Sequence, residues 1–386
     1  MRVKLKDVCT FYTGTGFPKK YQGQLSGTYP FYKVGDIANN VVSGKVYLEQ
    51  CNNYISEETL ELIKGSIVPK NTVVFAKIGE ALKLNRRAIT STDCLIDNNA
   101  MGIAAKSDKL KTLFFYYFMR NIKMELLAES TTVPSVRKSR LEAYEIDIPS
   151  LDEQEIIERK LTILSKMINL KEKQLLKLDE LVKARFVEMF GDPNIEFKYN
   201  SIKFNDLVVR MTKGPFGSDM KKDLFVPKGE DTYKVYIQIN AIQKNQSLGE
   251  YYISKEYFDR KVSRFELFPN DYIITCDGTL GKYLKLDENM EKGVISPSLL
   301  RLTLQSDRIN DKYFENIWDF YMLGLMKKEA RNACLVHLPS AKKIGEISIP
   351  LPPLELQNQF ASFVEEIDKS RLLSNHSLFL LKSITF

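Results

Sequence analysis

A chain of 386 residues, 44% hydrophobic and 27% charged, has room for two globular domains and an ordinary balance between core and surface. No apolar run reaches the roughly 18 residues of a membrane span, and Met1-Arg2-Val3-Lys4 leads straight into a polar segment, so neither a transmembrane helix nor a signal peptide is expected. The net charge is +7, and its excess lies in residues 1–150 and 191–353, a balance that suits contact with a polyanion.

Residues 1–150 alternate short β-like runs with Gly, Pro and Asn turns. Strands are predicted over Tyr29–Val34 and Thr72–Lys77, and a helix rich in aromatics over Leu113–Leu127. Residues 151–190 change character. Ile157, Leu161, Leu164, Ile168, Leu175, Leu178, Val182 and Met189 follow one another by fours and threes, broken only by Lys171 and Arg185. That is the a/d seam of a helix that pairs lengthwise with another helix. Roughly 37 residues give a rod about 55 Å long, stopped by Gly191-Asp192-Pro193. Asp192–Ser201 reads as a linker. Residues 191–353 repeat the first plan, with strands predicted over Tyr233–Ile239, Asp271–Cys276 and Leu299–Leu304 and a helix over Tyr313–Lys328. Residues 354–386 repeat the seam, 203 positions on, with Phe360, Val364, Ile367, Arg371, Ser374, Leu378 and Leu381.

The duplication extends to detail. IDIPSLDEQ before the first long helix matches ISIPLPPLELQ before the second, aligning Ile146 with Ile349 and Gln154 with Gln357. Proline followed by carboxylates and amides starts helices. TVVFAKIGEALK (Thr72–Lys83) lies over DYIITCDGTLGK (Asp271–Lys282), pairing Gly79 with Gly278 and Lys83 with Lys282. GTGFPKK (Gly14–Lys20) is answered by KGPFGSDMKK (Lys213–Lys222). Such glycine loops ending in lysines can hold a phosphate or be plain surface turns. The fold class predicted is α+β: two mixed domains, 1–150 and 191–353, joined by long helices over 151–190 and 354–386 that form an antiparallel coiled coil in a pseudo-twofold repeat.

Catalytic patterns are absent. Two histidines, His337 and His376, stand far apart, and Cys9, Cys51, Cys94, Cys276 and Cys334 form no C-x-x-C pair, so no metal is expected and free thiols in a reducing cytosol are. There is no Ser/His/Asp set, and GTLGK is too short for a phosphate-wrapping P-loop. Leu351-Pro352-Pro353-Leu354 is not the Asn-Pro-Pro-Tyr loop of amino-methyltransferases. Glu196-Phe197-Lys198 lacks the upstream strand aspartate a nuclease needs. The pattern is that of a protein that binds and does not react.

Two α+β halves, each followed by a proline lead-in (Ile146–Gln154, Ile347–Gln357) and a seam helix, resemble the specificity subunit of a type I restriction-modification system. FAKIGEALKLNRRAI (Phe75–Ile89), CLIDNNAMGI (Cys94–Ile103), GTLGK and VISPSLLRL (Val294–Leu302) resemble its target-recognition domains. The resemblance implies that each domain reads one half of a split site in double-stranded DNA. It also implies that the helices dock two modification (methyltransferase) subunits, that those use S-adenosylmethionine, and that restriction (translocase/nuclease) subunits use ATP and Mg²⁺. This chain would carry no cofactor and no catalysis, in a bacterial or archaeal cytoplasm. The second helix stops at Phe386, short of the first, so the far end of the coil is expected to be single-helical or capped by a partner. DNA is read by Arg, Lys, Asn, Gln and Ser on loops. The candidates are Lys19, Lys20, Lys77, Lys83, Arg86, Arg87, Asn98, Asn99, Arg137 and Lys138 in the first half. In the second they are Lys213, Ser218, Lys221, Thr279, Lys282, Ser298, His337 and Lys342, His337 lying in the basic, polar run HLPSAKK. A free-standing DNA-binding regulator and a fused nuclease or methyltransferase are the rival readings. Tight specific binding without partners would mark the first, and turnover by the pure chain the second.

Overall fold

The computed structural model describes the chain except residues 50, 130–132, 193–194, 245–248, 333–336 and 386, so Cys334, Pro193 and Phe386 lie outside the described residues. The chain divides into two compact units, Met1–Gln174 with Asn375–Phe386, and Leu175–Ser374. Each therefore holds one globular domain and part of both long helices. No described helix is long and apolar enough to cross a membrane.

In the first unit a five-stranded sheet runs in the order Cys9–Thr13, Ala100–Ala105, Thr72–Ala76, Arg87–Thr90, Tyr47–Leu48. All neighbours are antiparallel except the last pair. Every residue of Thr72–Ala76 is buried, as a central strand with both faces covered requires. A three-stranded sheet, Tyr54–Ile55, Tyr29–Tyr32, Leu95–Ile96, lies beside it, its last pair parallel. The second unit repeats both sheets. Its larger one runs Val208–Lys213, Leu299–Leu304, Tyr272–Thr275, Tyr283–Lys285, and its smaller one Tyr251–Ser254, Thr232–Tyr236, Gly293–Ile295. Each domain closes by pairing a strand near its start with its last: Arg2–Lys4 with Glu145–Asp147, and Ser201–Lys203 with Ser348–Pro350.

The predicted elements form, with local departures that have causes. The strand from Tyr29 stops at Tyr32 because the Asp36 carboxylate accepts the Lys33 amide at 2.8 Å and starts a helix, Val34–Val42. The helix expected to reach Leu127 ends at Asn121. Asn85 Nδ2 donates to the Arg120 carbonyl (2.8 Å) and the Arg87 guanidinium to that of Ile122 (3.4 Å), which satisfies the terminal acceptors. In the second unit Asn310 caps the helix that begins Asp311–Ile317, which passes through a π turn, Trp318–Met322, before Leu323–Asn332. The π turn seats the buried Trp318, whose Nε1 donates to the Gly281 carbonyl at 2.9 Å.

The long helices are Leu151–Phe190 and Leu354–Thr385. Their pairing is antiparallel. In the second unit Arg371 bonds Asp179 at 2.7 Å, and in the first Lys382 bonds Glu172 at 2.8 Å, so numbers rise on one helix as they fall on the other. One part of the seam differs from expectation. Past Val182 the buried positions are Phe186 and Phe190, both at 0% exposure, and not Arg185 and Met189. A straight helix drifts away from a strict seven-residue repeat. Here the stripe turns toward the domain core, where Phe186 and Phe190 pack on Tyr313 and Phe360 at 5.0–5.8 Å between ring centres.

Both lead-in glutamines are fully buried and bonded alike. Gln154 accepts from the Lys111 amide (2.8 Å) and donates to the carbonyls of Lys109 and Pro149. Gln357 accepts from the Asn310 amide (2.8 Å) and donates to those of Arg308 and Pro352.

The small sheet of the second unit carries an ion network. Glu291 takes hydrogen bonds from Lys228 (2.7 Å), Lys234 (3.0 Å) and the Tyr252 hydroxyl (3.2 Å), and these hold its pKa down at about 2. Its stabilisation is present above the ordinary glutamate value of 4.5 and fades as pH falls from there toward about 2. Glu291→Gln is expected to cost about 1 kcal/mol at pH 6, after allowance for solvent screening, and nothing near pH 2. Urea unfolding of both proteins at the two pH values measures this, and an equal cost at both would refute it.

Candidate nucleic-acid interface

The candidate residues of the first unit gather at one end of its large sheet. Thr13, Ala76 and Ala100 end or begin their strands there, in the register Thr13↔Met101 and Ala76↔Ala100. Beyond them the backbone ladder continues through the loops. The Lys77 amide donates to the Asn99 carbonyl (2.8 Å), the Val136 amide to that of Lys77 (2.9 Å), and the Gly79 amide to that of Pro134 (2.8 Å). This brings together Lys77, the exposed Asn98 and Asn99, and the segment bearing Arg137 and Lys138. The hairpin carrying Lys83 and Arg86 leaves from the same end, because Phe75 pairs with Arg87. The loop bearing Lys19 and Lys20 also starts there, and Lys20 Nζ lies 4.6 Å from the centre of the Tyr21 ring. Exposed ion pairs restrain several of these cations: Lys83–Glu80 (2.7 Å), Arg137–Glu129 (2.5 Å) and Lys138–Glu142 (3.6 Å). Such pairs are weak enough to exchange for phosphate.

Arg87 departs from the expectation. It is 2% exposed, its guanidinium lies 4.9 Å from the centre of the Phe75 ring, and it donates to Asn85 Oδ1 at 2.6 Å. It holds the hairpin from within and presents nothing to a ligand, so Arg86 is the arginine of that pair left for contact.

The second unit builds the same end from its own residues. Lys213 closes the edge strand opposite Leu300, with exposed Ser218 and Lys221 in the loop that follows. The Cys276 amide donates to the Ser298 carbonyl and the Leu338 amide to that of Cys276, both at 2.8 Å, as Lys77 does with its neighbours. His337 Nδ1 lies 2.5 Å from Asp277 Oδ1. Thr279 and Lys282 are exposed on the hairpin, the Thr279 hydroxyl taking a bond from Gln238 at 2.9 Å. Lys342 is exposed on the short helix Ala341–Gly345. Seven of the eight candidates sit at or beside this end, while Lys342 lies on a helix whose last residue, Gly345, packs against Asn205 before the edge strand begins. Gln238 is an addition that sequence reasoning missed, since it lies 41 residues from Thr279 and nothing in its own segment marks it.

Glycines shape both ends. A Cβ on Gly14 would sit 1.7 Å from the Asp97 carbonyl oxygen, and one on Gly214 would sit 2.0 Å from that of Ser296. The matched Gly79 and Gly278 both have positive φ, +75° and +69°. Gly14 and Gly214 thus serve close packing of the loop base, while Gly16 and Gly217 stand in open space and the lysines are exposed.

Comparison with known proteins assigns the arrangement. The profile of the type I restriction modification DNA specificity domain matches the chain twice, over residues 1–180 and 217–378. The chain belongs to this family. The type I restriction enzyme MjaIX specificity subunit of Methanocaldococcus jannaschii is 26% identical over 207 residues, 51% of this chain and 46% of the relative. The match thus spans about half the length of that specificity subunit. The fold is shared with the type I restriction-modification system S subunit from M. genitalium, with a TM-score of 0.56 and 14% identity over 100% of this chain and 93% of that one. It is shared also with a chain from a structural study of complex assembly and conformational transition of the type I R-M system, with a TM-score of 0.60 and 14% identity over 100% and 95%.

Proposed function

We propose that this chain is the DNA-recognition subunit of a type I restriction-modification complex. Each domain reads one half of a bipartite site with the loops at the end of its large sheet, and the paired helices dock two modification subunits. The observation that carries the reading is the duplication at atomic detail: two equivalent loop ends, each presenting Lys, Asn, Ser or His side chains on a rigid ladder. Lysines and arginines there suit phosphates, and Asn98, Asn99, Gln238 and Ser298 suit base edges. Methyl transfer with S-adenosylmethionine, and translocation and cleavage with ATP and Mg²⁺, belong to the partner subunits in the bacterial or archaeal cytoplasm.

Exchange of one domain tests this. When residues 1–150 are replaced by the corresponding domain of another family member, one half of the methylated sequence should change and the other stay. Sequencing of methylated sites in cells carrying the hybrid gives the answer. A change in both halves would sink the two-reader reading, and methylation or cleavage by the purified chain alone would sink the division of labour.

A further inference from the structure

The second domain carries a feature that the first lacks. Two adjoining hollows share Thr212 and Arg264 and form one groove along the edge strand Val208–Lys213. It begins at Lys213, on the sheet end described above, and runs past Arg264 to Arg210. All three cations are exposed, and among the described residues none makes a salt bridge. Phe216, 75% exposed, and Phe268, 44% exposed, stand on its rim, with Arg210 lying 5.7 Å from the Phe268 ring centre. The floor is Arg301, which is 2% exposed. Its guanidinium donates to the carbonyls of Glu266 and Arg264 (3.2 Å) and to the Thr212 hydroxyl (3.4 Å), while its Nε has no partner. A buried arginine therefore ties the segment bearing Arg264 and Phe268 to the edge strand.

The first domain has no arginine to form this groove. The positions that match Arg264 and Arg301 are Gly65 and Gly102. A Cβ on Gly65 would meet Leu60 Cδ1 at 2.5 Å and Leu95 Cδ2 at 2.7 Å, and one on Gly102 would meet Thr72 Cγ2 at 2.9 Å. Neither site has room for a side chain without repacking. The charge is thus specific to one half of a duplicated molecule, and symmetry does not explain it.

We propose that this groove is a phosphate track for double-stranded DNA, present on the second domain alone, which carries the backbone away from the sheet end along the edge strand. The inference rests on the DNA-recognition reading above. Three cations free of salt bridges among the described residues suit successive phosphates, and two exposed aromatic rims suit the deoxyribose faces between them. The Thr212 and Ser263 hydroxyls and the Glu266 carboxylate also line the groove, but Lys213, Arg264 and Arg210 outnumber that one carboxylate, so the track adds affinity without sequence preference. Arg301 is a positioning residue that holds the track in shape.

The test uses the full chain assembled with its modification subunits and measures duplex binding across a salt series. The double variant Arg210→Gln/Arg264→Gln changes two exposed side chains and should leave the fold intact, which circular dichroism checks. Binding should weaken on the order of tenfold, equally for duplexes with and without the recognised sequence, and the slope of log K against log salt should become shallower by about 2. The methylated sequence should not change, and Arg210→Lys/Arg264→Lys should keep the original slope. Arg301→Gln should give the same shallower slope, which a defect of stability alone would not.

An unchanged slope in the double variant overturns the proposal. Unequal loss on the two duplexes, or a changed methylated sequence, also overturns it, since the groove would then read bases. Weakened subunit assembly with unchanged DNA affinity would mean that the groove takes an acidic protein surface. If the unaltered complex binds no DNA, the underlying recognition reading falls as well, and that result is distinct from all the others.

Discussion

Gln357→Leu is expected to destabilise the second unit by about 3–5 kcal/mol, because it strands one amide and two carbonyls that are out of water. The Gln357 side chain meets all three groups: it accepts from the Asn310 amide and donates to the Arg308 and Pro352 carbonyls. A leucine fills much of the volume and satisfies none of them. Glutamate does no better, since an ionised carboxylate cannot donate to carbonyls. The loss is a large part of the 5–15 kcal/mol typical of a folded domain. Gln154→Leu should act alike in the first unit, on Lys111, Lys109 and Pro149. Hydrogen exchange locates the effect. Gln357→Leu should lose protection around Asp311–Ile317 and Gln154→Leu around Thr112–Asn121, each leaving the other site protected. Loss at both sites from one substitution, or at neither, would show that these glutamines are not local clips.

Adding one heptad near Leu175 and a matching heptad near Leu378 is expected to lengthen the spacer between the two half-sites by one to three base pairs. Seven residues return every a and d side chain to the seam and extend each helix by about 10 Å. At about 3.4 Å per base pair this allows about three, and any tilt of the helices against the DNA gives fewer. Both half-sequences should stay as they were. Sequencing the methylated sites of the extended chain decides it. An active complex with an unchanged spacer would mean that the helices dock subunits and do not set the distance.

The duplication was legible because it is written in identities that local physics needs. Gln154 and Gln357 recur since a buried amide with three partners has no substitute, and Gly79 and Gly278 recur since both backbones turn through positive φ. The seam was legible while the helix ran beside another helix. It ceased to be so at Arg185, where the helix enters a domain core and the buried stripe moves to Phe186. Arg87 shows another limit. The strand begins at Arg87 and is buried on both faces, and only the tertiary fold says that Arg87 meets Phe75 within the core while Arg86, just before the strand, does not. The basic groove was invisible for a related reason. Arg210 and Arg264 are 54 residues apart, on a strand edge and a tight turn, and acquire a common role only through Arg301.

Trp318 is the single tryptophan in the sequence. Its indole is buried and donates to the carbonyl of Gly281, in the hairpin that also carries Thr279 and Lys282. Tyrosines are spread through the chain, but tryptophan emission comes from this one place. Light collected on selective excitation thus reports the environment of one hairpin base in one domain, and the first domain is optically silent. The molecule carries a native fluorophore at the root of one candidate loop, so a change in that hairpin's surroundings can be followed without any label.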